Sequence, residues 1–302
     1  MQHLTIGVFG DIEFANKIAK KGTINDIMIH NHASSEGVFT YVSPNSPEAK
    51  IAPLLQTINM IDLPLIVSNE LTKELAEQII ALDAFGFDKG FIISNSEDLK
   101  KIIKGTTVEK FEWIQDEKEL RERLKNCKSA ALTNSAWIPI DNYFDVKSVG
   151  TVVLSVIKGG AVKKHDKLTA QPIGKEVVIK GIQSQDKDID SAEHGMRAGL
   201  NLKGVDADEL KRGYVLCADA KVSKSVSLEF ARNKYSKEPA EKGHQVYLSV
   251  GLQVIAGMVE KNEGGSLTLL LEQPAVFFAG QKCLIASTKP AMPRIIGTGK
   301  MK

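Results

Sequence analysis

The feature that most constrains the fold is a change of pattern near residue 137. Before it, apolar β-branched runs such as LTIGVFG (4–10) and LPLIVS (63–68) alternate with stretches of helical periodicity. After it, the helical pattern stops, and short β-branched runs are separated by glycine-rich turns. Strands that alternate with helices predict a mainly parallel sheet covered on both faces, whereas short strands with glycine turns predict small barrels or sandwiches. The chain therefore combines an α/β domain with all-β structure.

Local patterns in the first part give further predictions. The runs NDIMIH (25–30) and VFTYV (38–42) have no helix between them, which predicts an antiparallel pair of strands. Ser46 before Pro47 predicts the N-terminus of a helix, and Pro53 inside that helix predicts a kink. One buried helix face is predicted by apolar residues at helical spacing: Leu71, Leu75, Ile79 and Leu82.

Length and composition limit the class of protein. A chain of 302 residues has room for two domains or three small ones, and the polar segment 221–243 divides the β part. We therefore predict three domains: 1–136, 137–222 and 223–302. A hydrophobic content of 43% excludes global disorder, and no apolar run approaches the ~20 residues of a membrane span.

The charge and the cysteines add two expectations. The net charge is +2, but residues 1–136 hold 15 basic against 19 acidic residues and the rest holds 24 against 18. The mildly basic C-terminal part is compatible with a polyanionic partner. Three scattered cysteines and the lack of a secretory signal favour a cytoplasmic protein.

The turn after the first strand is where a nucleotide phosphate would bind in such a sheet. A P-loop requires G-x-x-x-x-G-K-[ST]. Here Gly10 fits, but Ala15, Asn16 and Lys17 stand where the second glycine, the lysine and the hydroxyl belong, and Asp11 adds negative charge. Two interpretations remain open: Lys17 reaches a phosphate, or the turn is only a connection.

The order of elements and three motif stretches resemble the translational GTPases of the EF-Tu and SelB type. IPIDNYFDVKSVGTVV (138–153) is similar to the start of the family's second domain, and residues 195–205 and 209–216 are similar to its second half. Within that family the sequence resembles an archaeal branch, found in methanogens, with an eroded GTPase site. The resemblance implies a GTPase-like, doubly wound α/β domain followed by two all-β barrel domains.

Carried over residue by residue, the resemblance gives an incomplete nucleotide site. The family's D-x-x-G falls on Ser-Pro-Asn-Ser (43–46), its histidine beside the attacking water falls on Pro47, and its N-K-x-D falls on Asn-Ser-Glu-Asp (95–98). Because the charged groups around the γ-phosphate are missing, hydrolysis is not expected, and the chain is not expected to be an enzyme. Weak binding of GTP or GDP with Mg²⁺ stays open, through Gly10, Asp11, Lys17, Asn95 and Asp98.

The second domain of the family binds the aminoacyl end of tRNA. The resemblance implies tRNA contacts at Asp141, Asn142, Phe144, Arg197 and Arg294, and further basic residues lie where the family places a tRNA stem: Lys221, Lys224, Arg232, Lys234, Lys237, Lys300 and Lys302. An aromatic ring can stack on a base, and a guanidinium can meet a phosphate. The alternative, left open, makes Phe144 a core residue, Asp141 a turn residue and the lysines a solvated face.

The resulting hypothesis is an elongation-factor-like protein that binds aminoacyl-tRNA, with the ribosome as a further partner and with no membrane or DNA partner. If the GTP switch is lost, the domains are expected to keep one fixed arrangement. The alternative is a weak guanine-nucleotide-binding scaffold or sensor that acts through protein contacts at the ribosome. His30 and His32 share a strand face, but no third ligand is identifiable, so no metal site is predicted.

Overall fold

The first domain is a layered α/β structure. The structure is a computed structural model that describes residues 2–45 and 49–302. The elements of this domain are β1 (Gln2–Gly10), α1 (Phe14–Ile18), β2 (Lys20–Ile24), β3 (Ile27–Ala33), β4 (Gly37–Pro44), α2 (Ala52–Met60), β5 (Leu63–Val67), α3 (Lys73–Phe85), β6 (Phe91–Ile93), α4 (Glu97–Ile102), β7 (Glu112–Trp113) and α5 (Glu117–Leu124). A short 3-10 helix, Thr107–Lys110, precedes β7.

The strands of this domain form one mixed sheet in the order β2-β3-β4-β1-β5-β6-β7. In the part of the sheet ordered β4-β1-β5-β6-β7, adjacent strands run parallel to each other, as predicted for alternating strands and helices. The predicted antiparallel pair is confirmed as β3 and β4, which pair from Ile27–Pro44 to Ala33–Val38. Because β1, β4, β5 and β6 are parallel, their carboxyl ends lie along one edge of the sheet, where ligands bind in this class of fold.

The helix predicted to begin at Ser46 starts later. Ser46 and Pro47 lie outside the described residues, and α2 begins at Ala52. Pro53 therefore lies in the first turn of α2. Backbone N–H groups in a first turn have no intrahelical acceptor, so the missing N–H of proline disrupts no hydrogen bond and the predicted kink is wrong.

The predicted buried helix face is α3, although it starts later than the pattern suggested. Leu75, Ile79 and Leu82 are each no more than 1% exposed, whereas Leu71 precedes the helix and is 39% exposed. Thr72 is the N-cap of this helix, and its side chain accepts a hydrogen bond from the backbone N–H of Leu75.

The second domain is built from strands around its own apolar core. Its strands are β8 (Trp137–Pro139), β9 (Asn142–Val146), β10 (Gly150–Val156), β11 (Ala161–Lys163), β12 (Lys167–Gln171), β13 (Lys175–Ser184), β14 (Lys187–Ile189), β15 (Ser191–Glu193), β16 (Arg197–Lys203) and β17 (Val215–Cys217). The main sheet has the order β8-β17-β12-β13-β16-β10-β9, β14 extends β13, and β11 pairs with β15. Within the described residues β9 is an edge strand, which leaves one of its sides free.

The third domain is a closed antiparallel barrel. Its strands are β18 (Lys221–Arg232), β19 (Gln245–Val250), β20 (Gln253–Glu263), β21 (Ser266–Phe277), β22 (Lys282–Ser287) and β23 (Ile295–Met301), closed in the order β18-β21-β20-β19-β22-β23. Lys221 and Val222 already pair with Phe277 and Val276. Strand β18 of this barrel therefore begins two residues before the predicted boundary at 223.

Buried contacts join the first domain to both β domains. One apolar core contains residues of α2 and α3 together with four residues of the third domain, Leu252, Leu284, Ala286 and Ile295. Lys158 of the second domain donates to Asp62 Oδ1 at 3.0 Å and to the Met60 carbonyl at 2.8 Å, and both charged side chains are at most 7% exposed. These contacts define one compact arrangement. No helix within the described residues is long and apolar enough to cross a membrane.

Candidate functional site

The first candidate site is the turn after β1. Gly10 has a φ of +81°, and a Cβ there would lie 2.4 Å from the Val67 carbonyl oxygen of β5. The N–H of Asp11 donates to that same oxygen at 2.6 Å. Close approach of β1 to β5 thus accounts for the glycine without a phosphate.

Three backbone amides of this turn, those of Asp11, Glu13 and Phe14, already donate hydrogen bonds within the protein. Asp11 Oδ1 accepts from the N–H of Glu13 at 3.1 Å, and the Asp11 carbonyl accepts from the N–H of Phe14 at 3.2 Å. Lys17 Nζ lies 3.9 Å from Asp11 Oδ2, and both side chains are exposed. A phosphate cradle needs free amides and little negative charge, so these residues do not fit the phosphates of GTP.

The positions that would read guanine lie at the same edge of the sheet. Asn95 follows β6, and its N–H donates to Asn69 Oδ1 at 3.2 Å. Asp98 lies in the first turn of α4 and forms an exposed ion pair with Lys101 at 3.0 Å. Asp98 therefore has a local partner, and its place near a helix N-terminus is favourable for a carboxylate without any ligand.

The positions that correspond to D-x-x-G begin at the end of β4. Ser43 and Pro44 are the last two residues of that strand, whereas Ser46 and Pro47 lie outside the described residues. Ser43 and Pro44 carry no carboxylate that could bind a metal ion.

The second candidate site is a cavity of about 1020 Å³ between the first and second domains. One wall is the segment from Lys17 to Gly22, together with Asn31 and His32 of β3. The opposite wall is the outer face of the second domain, formed by residues of β9, β10, β13 and β16. Phe144 and Arg197 line this cavity, which brings together two of the residues predicted to bind tRNA.

Arg197 forms a buried ion pair with Asp141. Its Nη1 donates to Asp141 Oδ2 at 2.5 Å, and the two side chains are 9% and 1% exposed. Arg212, which the sequence did not suggest, donates through Nε to the Asp141 carbonyl at 2.9 Å, and its Nη2 contacts Asn25 Oδ1 of the first domain. Asp141 therefore bonds two guanidinium groups at the domain interface, one through its carboxylate and one through its backbone carbonyl.

Phe144 is not a core residue. Its side chain is 40% exposed on the edge strand β9, and Val146 and Val149 beside it are 36% and 43% exposed. These three side chains, which we call the apolar strip, line the cavity. Asn142, predicted as a polar contact, instead accepts the Tyr143 N–H on its own Oδ1 at 3.0 Å.

An amide and two glycines complete the wall formed by the second domain. Asn201 Oδ1 is buried and has no hydrogen-bond partner among the described residues. Gly181 pairs with Asn201, and Gly199 pairs with Leu154. A Cβ at Gly181 would come no nearer than 3.8 Å to another side chain, so the wall has free space there.

Arg294 lies away from this cavity. Its side chain is 3% exposed and forms an ion pair with Glu77 of α3 at 2.5 Å. In this arrangement of the domains its guanidinium is bonded inside the protein, and a tRNA contact at Arg294 stays a prediction. Among the other basic residues of the third domain, Lys234 donates to the Gly105 carbonyl of the first domain at 2.9 Å.

The two histidines of β3 have protein partners. His30 Nε2 lies 2.6 Å from Asn16 Oδ1, and His32 Nε2 lies 2.5 Å from Arg121 Nη1. Burial is the main cause that lowers the pKa of both imidazoles. Across residues 2–45 and 49–302, no group of three or more His, Cys, Asp or Glu side chains could hold a metal ion.

Comparison with known proteins adds sequence relatives to this geometry. The family model for Elongation factor Tu domain 2 matches residues 150–217. The uncharacterized protein MJ0325 of Methanocaldococcus jannaschii is 36% identical, with full coverage of both chains. The selenocysteine-specific elongation factor of the same organism is 28% identical over 84% of this chain. The chain spans 60% of the length of that elongation factor.

Solved structures show the same architecture. The elongation factor SelB of Methanococcus maripaludis, in complex with the GTP analogue GppNHp, is similar with a TM-score of 0.86 and 22% identity, over 100% of this chain and 79% of that one. The bacterial selenocysteine-specific elongation factor EF-Sec is similar with a TM-score of 0.81 and 19% identity, over 100% of this chain and 58% of that one. The α/β domain followed by barrel domains is thereby confirmed. With these relatives, the chain belongs to the EF-Tu/SelB-like family of translational GTPases.

Proposed function

We propose that this translation-factor-like protein binds the aminoacylated 3′ end of tRNA in the cavity between its first and second domains and does not hydrolyse GTP. The observation that carries the proposal is the apolar strip, Phe144, Val146 and Val149, exposed on the wall of a cavity of about 1020 Å³. Ligand pockets of about 300–1,000 Å³ hold molecules of the size of a nucleotide. Exposed large apolar side chains that line such a space favour a ligand.

The chemistry of the walls suits a nucleotide that carries an amino acid. Phe144 is placed to stack on a base, an interaction worth about 1–3 kcal/mol. Asn201 lines the same wall and is only partly buried, and a hydrogen bond between its side-chain amide and a ligand would contribute about 0.5–1.5 kcal/mol. A base, a ribose and an aminoacyl group together supply a planar ring and N–H donors.

The absence of hydrolysis is supported by the residues after β1. Phosphoryl transfer depends on positioned charge around the γ-phosphate and its metal ion. The amides of residues 11, 13 and 14 are bonded within the protein, and Asp11 and Glu13 carry negative charge where phosphates would lie. The described residues of this turn therefore do not favour binding of the phosphates of GTP or GDP with Mg²⁺. The proposed function uses neither nucleotide.

Titration calorimetry with four ligands tests the proposal: aminoacylated tRNA, deacylated tRNA, GTP with Mg²⁺ and GDP with Mg²⁺. We expect saturable binding of aminoacylated tRNA and no heat with either nucleotide. Saturable GTP binding followed by phosphate release would contradict the loss of hydrolysis. If neither tRNA gives heat of binding, the proposed RNA binding is contradicted and the scaffold hypothesis is favoured. Co-sedimentation with ribosomes then tests the scaffold hypothesis.

A further inference from the structure

Two arginines of the second domain reach the turn between β2 and β3 of the first domain. Arg212 Nη2 contacts Asn25 Oδ1, and Arg197 Nη2 lies 3.5 Å from Thr23 Oγ1. Both arginines are also bonded to Asp141, whose carboxylate accepts from Arg197 and whose carbonyl accepts from Arg212 Nε at 2.9 Å. We call these five residues the clasp. The clasp joins the two domains through side chains that lie up to 187 residues apart in sequence.

The first-domain half of the clasp is a turn that its own domain holds in place. Asn25 Oδ1 also accepts from the N–H of Ile27 at 3.1 Å, which closes a local side-chain turn. Asn45, which follows β4, donates through Nδ2 to the Asn25 carbonyl at 2.8 Å and through its N–H to the Asp26 carbonyl at 2.9 Å. Because the turn is bonded to the ends of two strands, a contact that holds the turn also holds this edge of the sheet.

The second-domain half of the clasp is fixed as well. Asp141 is 1% exposed. The turn that carries Arg212 is bonded to the residue before Asp141, because the N–H of Gly213 donates to the Ile140 carbonyl at 3.0 Å. Burial lowers the pKa of the Arg212 guanidinium, and the carboxylates of Asp141 and Asp26 oppose that shift. Negative charge from both domains therefore attracts this guanidinium.

The clasp lies far along the sheet from a second polar attachment between these domains. Lys158 is bonded to Asp62, directly before β5. Three strands, β3, β4 and β1, separate β2 from β5 in the sheet order, so the two attachments are roughly 15–20 Å apart across the sheet. The residues from Lys17 to Gly22, which form the first-domain wall of the cavity, lie beside the clasp along the chain. Loss of the clasp would leave the attachment near β5 in place and release the wall formed by β2.

We infer that the clasp sets the position of the cavity wall formed by β2, and that Asp141 is the positioning residue that orients its two guanidinium groups. This role differs from the tRNA contact that the resemblance implies at Asp141 and Arg197, because both charged groups are bonded inside the protein. The inference goes beyond the proposed function. It concerns the protein without a ligand, so it can be tested without tRNA.

Hydrogen–deuterium exchange of the protein alone tests this inference. Arg212→Met removes the guanidinium and keeps an unbranched side chain. Loss of a hydrogen bond to a charged group is expected to speed exchange of the amides in residues 20–27 by about ten- to hundredfold, and to leave residues 61–67 within about twofold of the wild type. Asp141→Asn is expected to act in the same direction, because a neutral amide bonds Arg197 less strongly. The control is Lys211→Met at the exposed neighbouring position, which should keep the wild-type rates.

Asn25→Asp gives the opposite prediction. This variant keeps the acceptor for the N–H of Ile27 and adds a negative charge beside Arg212, so exchange at residues 20–27 is expected to slow by about two- to fivefold. In the Arg212→Met background the same change is expected to have no effect, since its partner in the second domain is missing.

Three results would overturn the inference: wild-type exchange at residues 20–27 in Arg212→Met, no slowing by Asn25→Asp, or equal slowing in both backgrounds. Absence of tRNA binding would instead overturn the proposed function and leave these exchange rates unaffected, so the two failures are distinguishable.

Discussion

Glu77 of the first domain and Arg294 of the third form an ion pair that is almost completely buried between the domains. The backbone N–H of Arg294 donates to Glu77 Oε1 at 2.6 Å, and Nη2 donates to Oε2 at 2.5 Å. The side chains are 2% and 3% exposed. Because the carboxylate is bonded by both a guanidinium and a backbone amide, it fixes α3 against the third barrel in one position.

Removing one partner of this pair is expected to be costly. Glu77→Gln leaves the Arg294 charge buried without its carboxylate, and such a change destabilises by about 3–5 kcal/mol. Urea denaturation measures the loss. The double variant Glu77→Leu, Arg294→Met is expected to recover most of it, since apolar pairs replace buried ion pairs well. The exposed pair of Asp98 and Lys101 is the control, and Asp98→Asn is expected to cost less than about 1 kcal/mol. Equal costs at both pairs would contradict the prediction.

The arrangement of the domains is expected to be insensitive to nucleotide. Lys158 and Asp62 join the first two domains, and the shared core joins the first and third, with no contact that depends on a phosphate. Small-angle scattering with and without GppNHp and Mg²⁺ is expected to give the same radius of gyration. The variant Glu77→Gln, Lys158→Met, which loosens both interfaces, shows whether the measurement detects domain movement. A change of the wild-type curve on adding nucleotide would disprove the fixed arrangement.

The requirement for glycine at position 10 is expected to be structural. Gly10→Ala forces a left-handed backbone on alanine, at about 1–2 kcal/mol, and also drives its Cβ to 2.4 Å from the Val67 carbonyl oxygen. Gly105 also has a positive φ, +73°, but has nothing within 4 Å of its Cβ position. Gly105→Ala is therefore the control, and only the backbone cost is expected there. Thermal and urea denaturation measure the stability lost by each variant. Similar losses of stability would show that the contact with the Val67 carbonyl oxygen of β5 does not determine the need for glycine.

Phe144 is expected to affect binding more than stability. Phe144→Ala removes a 40% exposed ring from the cavity wall, so its loss should leave the unfolding temperature almost unchanged. Affinity for aminoacylated tRNA is expected to fall by about 1–3 kcal/mol through lost stacking. Tyr235, 38% exposed and outside the cavity lining, offers a matched control, and Tyr235→Ala should bind as the wild type does. Fluorescence titration measures both. An unchanged affinity for Phe144→Ala would remove the main support for the cavity as the binding site.

Acidification is expected to destabilise the first domain through His30. Burial lowers the pKa of this imidazole, with a smaller contribution in the same direction from Lys21 and an opposing one from Glu13. A histidine with a lowered folded pKa binds fewer protons than the unfolded chain does, so stability is complete above the unfolded value of about 6.5 and declines as the pH falls below it. Denaturation at pH 8, 7, 6 and 5 measures the decline, and His30→Gln should reduce it. An identical pH profile for the variant would assign the decline to other groups.

The sequence was informative where local periodicity or short motifs decide the structure. The antiparallel pair β3–β4 and the buried face of α3 followed from alternation and helical spacing. The start of α2 could not be predicted in this way. Proline is compatible both with the first turn of a helix and with a kinked helix interior, and hydrophobic periodicity does not distinguish these two positions for Pro53. The three-domain architecture came from motif resemblance more than from residue patterns.

The candidate site was harder to predict because its groups meet across long sequence separations. Asp141 and Arg197 were both proposed as ligand groups, yet they neutralise each other. Arg294 was assigned to the surface, and its partner Glu77 is 217 residues away along the chain. Opposite charges far apart in sequence carry no local signal of their pairing. The place of Lys20 and Lys21 in the cavity lining depends on where α1 ends, and no capping motif in the sequence marks Ile18 as that end.

The apolar core shared by the first and third domains has a consequence for biosynthesis. The N-terminal part of the chain leaves the ribosome first, with the outer faces of α2 and α3 already formed by local sequence. Leu252, Leu284 and Ile295, which cover those faces in the finished protein, are synthesised only after the whole second domain. The nascent first domain therefore passes through a period of exposed apolar surface, and truncation after residue 136 should yield a fragment that aggregates or recruits chaperones.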